Sequence, residues 1–265
     1  LLSELFNRKS SIVNPKSGLY HYVKEDEHEK SRIHLRLDED GTGTLIVNAS
    51  SVMHLNPTAA FMAWMILEKK QEQEIISSLK KRYRVDTSQA VEDLSAFRFQ
   101  LSELLRPDGA CPVHDLDLET VMPFSTRPSA PYRMDLAVTY RCNNDCAHCY
   151  NARERDFPEL TTDQWKSVLD QMWDLGVPHI IFTGGEATLR NDLPELIKHA
   201  ENNGQITGLN TNARRLMDMD YVKQLVDSGL DHVQVTVESC VPEIHDEMMR
   251  AKGAFRQTIT GLNNA

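Results

Sequence analysis

The sequence predicts an α/β chain: a small α+β domain, then a partial parallel (β/α) barrel truncated after about four units. Three observations predict it. Four strand-like runs fill the C-terminal half, the last three starting 26 and 27 residues apart, each followed by a helical pattern. Short strands and then three helical patterns fill the first ~105 residues. A proline-rich stretch separates the two parts.

Residues 1 to about 30 are polar and weakly patterned. Arg32 to Leu37 then alternates, with Ile33, Leu35 and Leu37 on one side, as a half-buried strand does. Gly41-Thr42-Gly43 reads as a turn, Thr44 to Val47 as a second strand and Val52 to Leu55 as a short third. Asn56-Pro57 opens a helix, with Asn as cap and Pro at the first helical position. Phe61, Trp64 and Met65 share one of its faces. A second helical pattern carries Ile75, Ile76, Leu79 and Tyr83. A third carries Val91, Leu94, Phe97, Leu101, Leu104 and Leu105, after the capping run Asp86-Thr87-Ser88. These elements define an N-terminal domain over 1–106.

Five of the eleven prolines fall between Pro107 and Pro131, so 107–131 reads as a linker. The second domain, 132–265, has candidate strands starting at Met134, His179, Gln205 and His232. Thr161 and Gln164 match a capping box ahead of one helix. Asn191-Asp192 precede another helix, and Gly204 and Gly229 follow two helical patterns as stops. Four parallel strands leave an open edge, and the first residue is not Met. The natural chain is therefore expected to begin earlier and to continue past Ala265.

Composition removes several function classes. With 40% apolar and 26% charged residues, the 265-residue chain has enough apolar surface to fold. Its formal charge of −10 argues against a nucleic-acid binder. From Cys142 onward there are 11 basic and 19 acidic side chains, a balance of −8; the first 141 residues have 18 and 20, a balance of −2. This asymmetry supports two domains. The longest run without charge, Gly41 to Leu67, is too polar to span a membrane, and no signal peptide is visible. A cytoplasmic placement is expected.

Three of the five cysteines, Cys142, Cys146 and Cys149, lie within eight positions directly after the first strand of the βα series. In a chain without secretory marks, this cluster reads as metal binding or catalysis. Three thiolates can hold three corners of a [4Fe–4S] cube and leave the fourth iron open. They can equally serve zinc, which usually wants a fourth ligand. His148, between two of the cysteines, is poorly placed to be that ligand, and Cys111 and Cys240 read as ordinary buried cysteines. The spacing alone leaves cluster, zinc and coincidence open. The second strand ends in Thr183-Gly184-Gly185-Glu186, a glycine pair at the end of a parallel strand where barrels bind substrates.

Taken in order, CNNDCAHCY, IIFTGGEATL, TGLNTNA and VQVTVES resemble the radical S-adenosylmethionine (SAM) enzymes over about 132–265. That resemblance implies a [4Fe–4S] cluster on Cys142, Cys146 and Cys149, with SAM on the open iron. Gly184, Gly185 and Glu186 would meet the SAM amino group, largely through backbone carbonyls. The backbone at His148 would touch adenine, while Asn212, Thr236 and Glu238 would line the ribose and methionine parts. Arg250 would either pair with the SAM carboxylate or be a solvated helix-end charge. The implied reaction is reductive cleavage of SAM and hydrogen abstraction from a substrate, with an external electron donor. Two positions differ from the common pattern: Ala187 stands where Pro is frequent, and Glu238 where Asp is.

Residues 31 to 105 resemble the small peptide-recognition domain of PQQ-type peptide maturases, a winged-helix-like PQQ-chaperone fold. The resemblance implies capture of a leader peptide as an added strand at the sheet edge beside the third helix. A DNA-binding winged helix is the rival. Its recognition helix would carry Glu92, Asp93 and Glu103 against Arg98 alone, the wrong balance for phosphate. The expected function is maturation of a ribosomally made peptide. The alternatives are a tetrapyrrole- or small-molecule-modifying radical SAM enzyme and a non-catalytic zinc-binding peptide carrier.

Overall fold

A computed structural model of the chain describes residues 15–25, 30–105, 128–151 and 157–265. It divides into two compact units, Leu1–Arg127 and Pro128–Ala265. Most of the proline-rich stretch, including Cys111, lies outside the described residues.

The first unit holds β1 (Gly18–Glu25), β2 (Lys30–Leu37), β3 (Gly43–Val47) and β4 (Ser51–Leu55) in one antiparallel sheet of order β1-β2-β3-β4. Three helices follow: α1 (Pro57–Leu67), α2 (Glu72–Tyr83) and α3 (Thr87–Leu104). Asn56 and Asp86 cap α1 and α3 through side-chain oxygens that accept from Ala59 N and Gln89 N, each at 2.9 Å. Register sets Tyr20, Leu35, Leu45 and Met53 in one cross-strand row, and this face packs on Phe61, Trp64, Leu94 and Phe97.

Two expectations need correction here. β1 belongs to the stretch read as unpatterned. Its inward residues, Tyr20 and Tyr22, alternate with Leu19, His21 and Val23, so no apolar–polar contrast marks the strand. β2 is not half-buried: Arg32, His34 and Arg36, on the face opposite Ile33 and Leu35, are buried as well. The rings of His21 and His34 stack there with centroids 4.8 Å apart.

In the second unit β5 (Arg133–Thr139), β6 (His179–Gly184), β7 (Ile206–Thr211) and β8 (His232–Val235) form a parallel sheet in chain order. Helices α4 (Thr162–Asp174), α5 (Leu193–Asn203) and α6 (Met219–Asp227) connect them, and α7 (Pro242–Met249) and α8 (Ala254–Asn264) follow β8. The capping box forms as its sequence predicts: Gln164 N donates to Thr161 Oγ1, and Thr161 N donates to Gln164 Oε1. Buried strand residues such as Ile180, Phe182 and Leu209 pack against Leu169, Leu193, Leu196 and Leu225 of the helices. Among the described residues, no helix is long and apolar enough to cross a membrane.

Candidate metal and cofactor site

The four parallel strands end at one cavity of about 310 Å³. Its walls are the loop after β5 and the last residues of β6, β7 and β8. The β5 loop contributes Cys142, Asn144, Cys146, His148 and Cys149, and the β6 end contributes Thr183 to Glu186. Asn210, Thr211 and Asn212 come from β7, Gln234 and Thr236 from β8, and Met249 from the end of α7. Binding at the carboxyl ends of parallel strands follows from this topology, because the connecting loops gather there.

Backbone geometry builds the thiol wall. Gly185 N and Glu186 N donate to the carbonyls of Thr139 and Arg141, both at 2.8 Å. The end of β6 therefore lies against the chain leaving β5. A Cβ on Gly184 would overlap the Thr139 carbonyl oxygen, and one on Gly185 would overlap that of Arg141. Gly184 also has φ +139°, a conformation open mainly to glycine. From the other side, Asp145 N and Ala147 N donate to the carbonyls of Met249 (3.3 Å) and Met248 (2.8 Å). The loop is thus pinned between β6 and α7.

All three cysteines line the cavity. Burial pushes the Cys146 thiol up from its ordinary pKa, and Cys142 and Cys149 push it further, since neighbouring thiolates repel. A bound cation reverses that sign. The Cys146 Sγ lies 3.3 Å from the Met249 sulfur. Among the described residues, no three of His, Cys, Asp and Glu converge closely enough to hold a single metal ion. Thiolate donors suit iron–sulfur chemistry and zinc alike.

Nine of the eleven residues singled out from the sequence line this cavity: Cys142, Cys146, Cys149, His148, Gly184, Gly185, Glu186, Asn212 and Thr236. Several of these side chains are already engaged. The Glu186 carboxylate is buried and accepts four hydrogen bonds, from Thr188 N and Oγ1, Thr211 Oγ1 and Asn212 N. It ties the ends of β6 and β7 together. Asn212 uses its Nδ2 on Asn143 Oδ1 (2.7 Å) and accepts from Arg214 N (3.0 Å) at Oδ1. The Gly184 carbonyl accepts from Asn151 Nδ2 at 2.8 Å.

Glu238 and Arg250 are not among the residues lining the cavity. Glu238 lies beyond the end of β8 and meets His148, with Oε1 3.1 Å from Nε2. Arg250 ends α7 in a left-handed conformation (φ +48°), and its guanidinium faces Asp145 at 3.5 Å. Both partners of that pair are exposed, so it contributes little.

Sequence reasoning missed Asn144, Asn151, Asn210, Gln234 and Met249. Asn210 with Asn212, and Gln234 with Thr236, alternate at strand ends, and that period was the available signal. Met249 had none: it reaches the site from 103 residues beyond Cys146.

Comparison with known proteins agrees with this architecture. Residues 136–265 match the sequence model of the radical SAM superfamily, and residues 36–104 match that of coenzyme PQQ synthesis protein D (PqqD). The chain thus carries a radical SAM domain and, ahead of it, a PqqD-like domain. Over 129 residues it is 39% identical to the Fe-coproporphyrin III synthase of Methanosarcina barkeri, covering 48% of this chain and 32% of that protein. Over 131 residues it is 38% identical to the PqqA peptide cyclase of Bradyrhizobium diazoefficiens, covering 49% and 34%. It therefore spans about a third of the length of these relatives. Crystal structures of Streptococcus suis SuiB share the fold. The complex with precursor peptide SuiA has a TM-score of 0.54, and the S-adenosylmethionine complex 0.56. Both are 18% identical and are matched over 89% of this chain and 52% of theirs.

Proposed function

We propose that this chain is part of a radical SAM enzyme that matures a ribosomally made peptide. The observation that carries the reading is the cavity that three cysteines line together with the closing turn of β6 at the carboxyl end of a parallel sheet. Cys142, Cys146 and Cys149 would hold a [4Fe–4S] cluster. Gly184, Gly185, Glu186, Asn212 and Thr236 would border S-adenosylmethionine, with the His148 backbone at its adenine. When bound, the cluster supplies the electron that cleaves the sulfonium, giving the radical that takes hydrogen from the substrate.

The chain's own residues supply placement. The β6 turn presses the thiol loop into shape. Carboxamides of Asn144, Asn151, Asn210 and Gln234 and hydroxyls of Thr183 and Thr236 give neutral polar walls for a ligand with both charges. Glu238 and Arg250 act one layer out: Glu238 holds the His148 ring, and Arg250 closes α7 beside Asp145.

The peptide reading is supported by the PqqD-like domain in the same chain, and by PqqA peptide cyclases among the relatives. In this reading residues 1–106 form a winged-helix-like domain that takes a leader peptide as an added strand on an outer edge of the β1-β2-β3-β4 sheet, beside α3. Residues 107–131 link it to a partial barrel over 132–265, in a cytoplasmic protein served by an external electron donor. The tetrapyrrole reading finds its support in the Fe-coproporphyrin III synthase.

Anaerobic reconstitution with iron and sulfide tests the first half. The parent chain should take up about four irons, and Cys146→Ala should lose that uptake while keeping its helical circular dichroism. Full uptake by Cys146→Ala would overturn the ligand assignment. Pull-down of a precursor peptide by the reconstituted chain tests the second half, and binding of coproporphyrin instead would favour the tetrapyrrole reading.

A further inference from the structure

We propose that Arg214 is a positioning residue for the thiol loop, one that keeps it in its binding shape before any cluster arrives. The inference rests on the cluster reading above and deepens it. Arg214 stands just past β7, yet its side chain crosses to the loop after β5. Its Nη1 donates to the Asn143 carbonyl oxygen at 2.6 Å and also to Asn144 Oδ1. Its Nε donates to Gln257 Oε1 of α8 at 2.6 Å. One rigid guanidinium thus joins the residues directly following Cys142 to a helix more than one hundred residues away. Only arginine has a planar fork that serves both directions at once.

The turn that presents Arg214 is itself fixed. Ala213 is fully buried with φ +59°, a left-handed conformation costly for a residue with a Cβ. Asn212 N is held by Glu186, and the Asn212 carbonyl accepts from Thr258 Oγ1 at 2.9 Å. The Asn212 amide then adds its own bond to Asn143. Strain persists where the surroundings over-determine the backbone, and such positions concentrate at functional sites. Here the strained turn delivers two side chains, Asn212 and Arg214, onto Asn143 and Asn144, between the first two cysteines. Neighbours that orient metal ligands are worth about 10- to 100-fold in metal affinity when removed.

The test compares Arg214→Gln, Arg214→Lys and Arg215→Gln in the full chain. Arg215 is the control: its guanidinium bonds the Thr188 carbonyl and lies 3.9 Å from the Tyr221 ring centre, away from the loop. Two readouts are used: alkylation rates of Cys142, Cys146 and Cys149 in the metal-free chain by mass spectrometry, and loss of reconstituted iron to a chelator. Arg214→Gln should speed both, the iron loss by about 10-fold or more, Arg214→Lys should lie between it and the parent, and Arg215→Gln should match the parent. Parent-like rates in Arg214→Gln, or equal acceleration in Arg215→Gln, would overturn the inference. A parent that takes up no cluster would overturn the proposed function, whereas the alkylation rates report on the loop either way.

Discussion

Gly185 leaves no room for a methyl group. The atom that a Cβ would strike is the Arg141 carbonyl oxygen, part of the backbone, and Glu186 N hydrogen-bonds to that same oxygen. Relief therefore requires moving the entry to the thiol loop. Gly185→Ala is expected to lower stability by about 1–3 kcal/mol, read as a lower urea midpoint at unchanged m-value. An unshifted midpoint would mean the contact is slack. In the sequence the glycine pair stands out as a place of close approach, and so it is. What approaches, however, is the chain's own backbone at 139–141. No pattern in a single sequence identifies that partner, because the contact joins carbonyls, which every residue has. Glu186 is similar: its type is visible, but its carboxylate is engaged inside the protein with Thr188, Thr211 and Asn212.

At the scale of elements, Glu186 is the tie between the ends of β6 and β7. Glu186→Gln replaces one acceptor oxygen with a donor amide facing groups that are themselves donors. Buried donors left unmatched cost about 1–3 kcal/mol each, so the change is expected to lower the thermal midpoint clearly. Glu186→Asp, which keeps the charge, should lose less. Equal midpoints for the parent and the Gln variant would show the network to be replaceable. Elements with strong local signals were legible: α1 and α3 with their caps, the Thr161 box and the three connecting helices. β1 was not, because tyrosines serve as its inward face and the apolar Leu19 and Val23 alternate with them. β2 was read with one wet face, whereas Arg32, His34 and Arg36 are buried; long-range packing overrides a two-residue period.

For the molecule as a whole, acid is the most direct probe. His179 begins β6, at the opposite end of the sheet from the cavity, with its ring 5.1 Å from that of His232. Burial first, then the nearby His232 and Arg133, lower its pKa to about 4 from the usual 6.5. The unfolded chain thus binds a proton that the folded chain refuses. This contribution is fully present above pH 6.5 and is lost as pH falls toward 4, amounting to about 3 kcal/mol. His179→Gln should flatten that part of the stability–pH curve, and an unchanged slope would remove His179 as its source. At this scale the sequence was informative about the site's place: the cysteine loop, the glycine pair and the strand ends all meet at one cavity. It picked out Glu238 and Arg250, which stand outside the cavity lining, and was silent about Met249, which is placed by chain reversals after β8 that have no local signature.

The methionine wall also sets an order of events during synthesis. Met249 leaves the ribosome 103 residues after Cys146. At about 5–20 residues per second, translation takes about 5–20 seconds to cover that distance. Throughout that interval the nascent chain offers its thiols to oxidants and stray metals without their last neighbour. On the proposed cluster reading, loading belongs after translation of α7, once Met249 has joined the cavity wall.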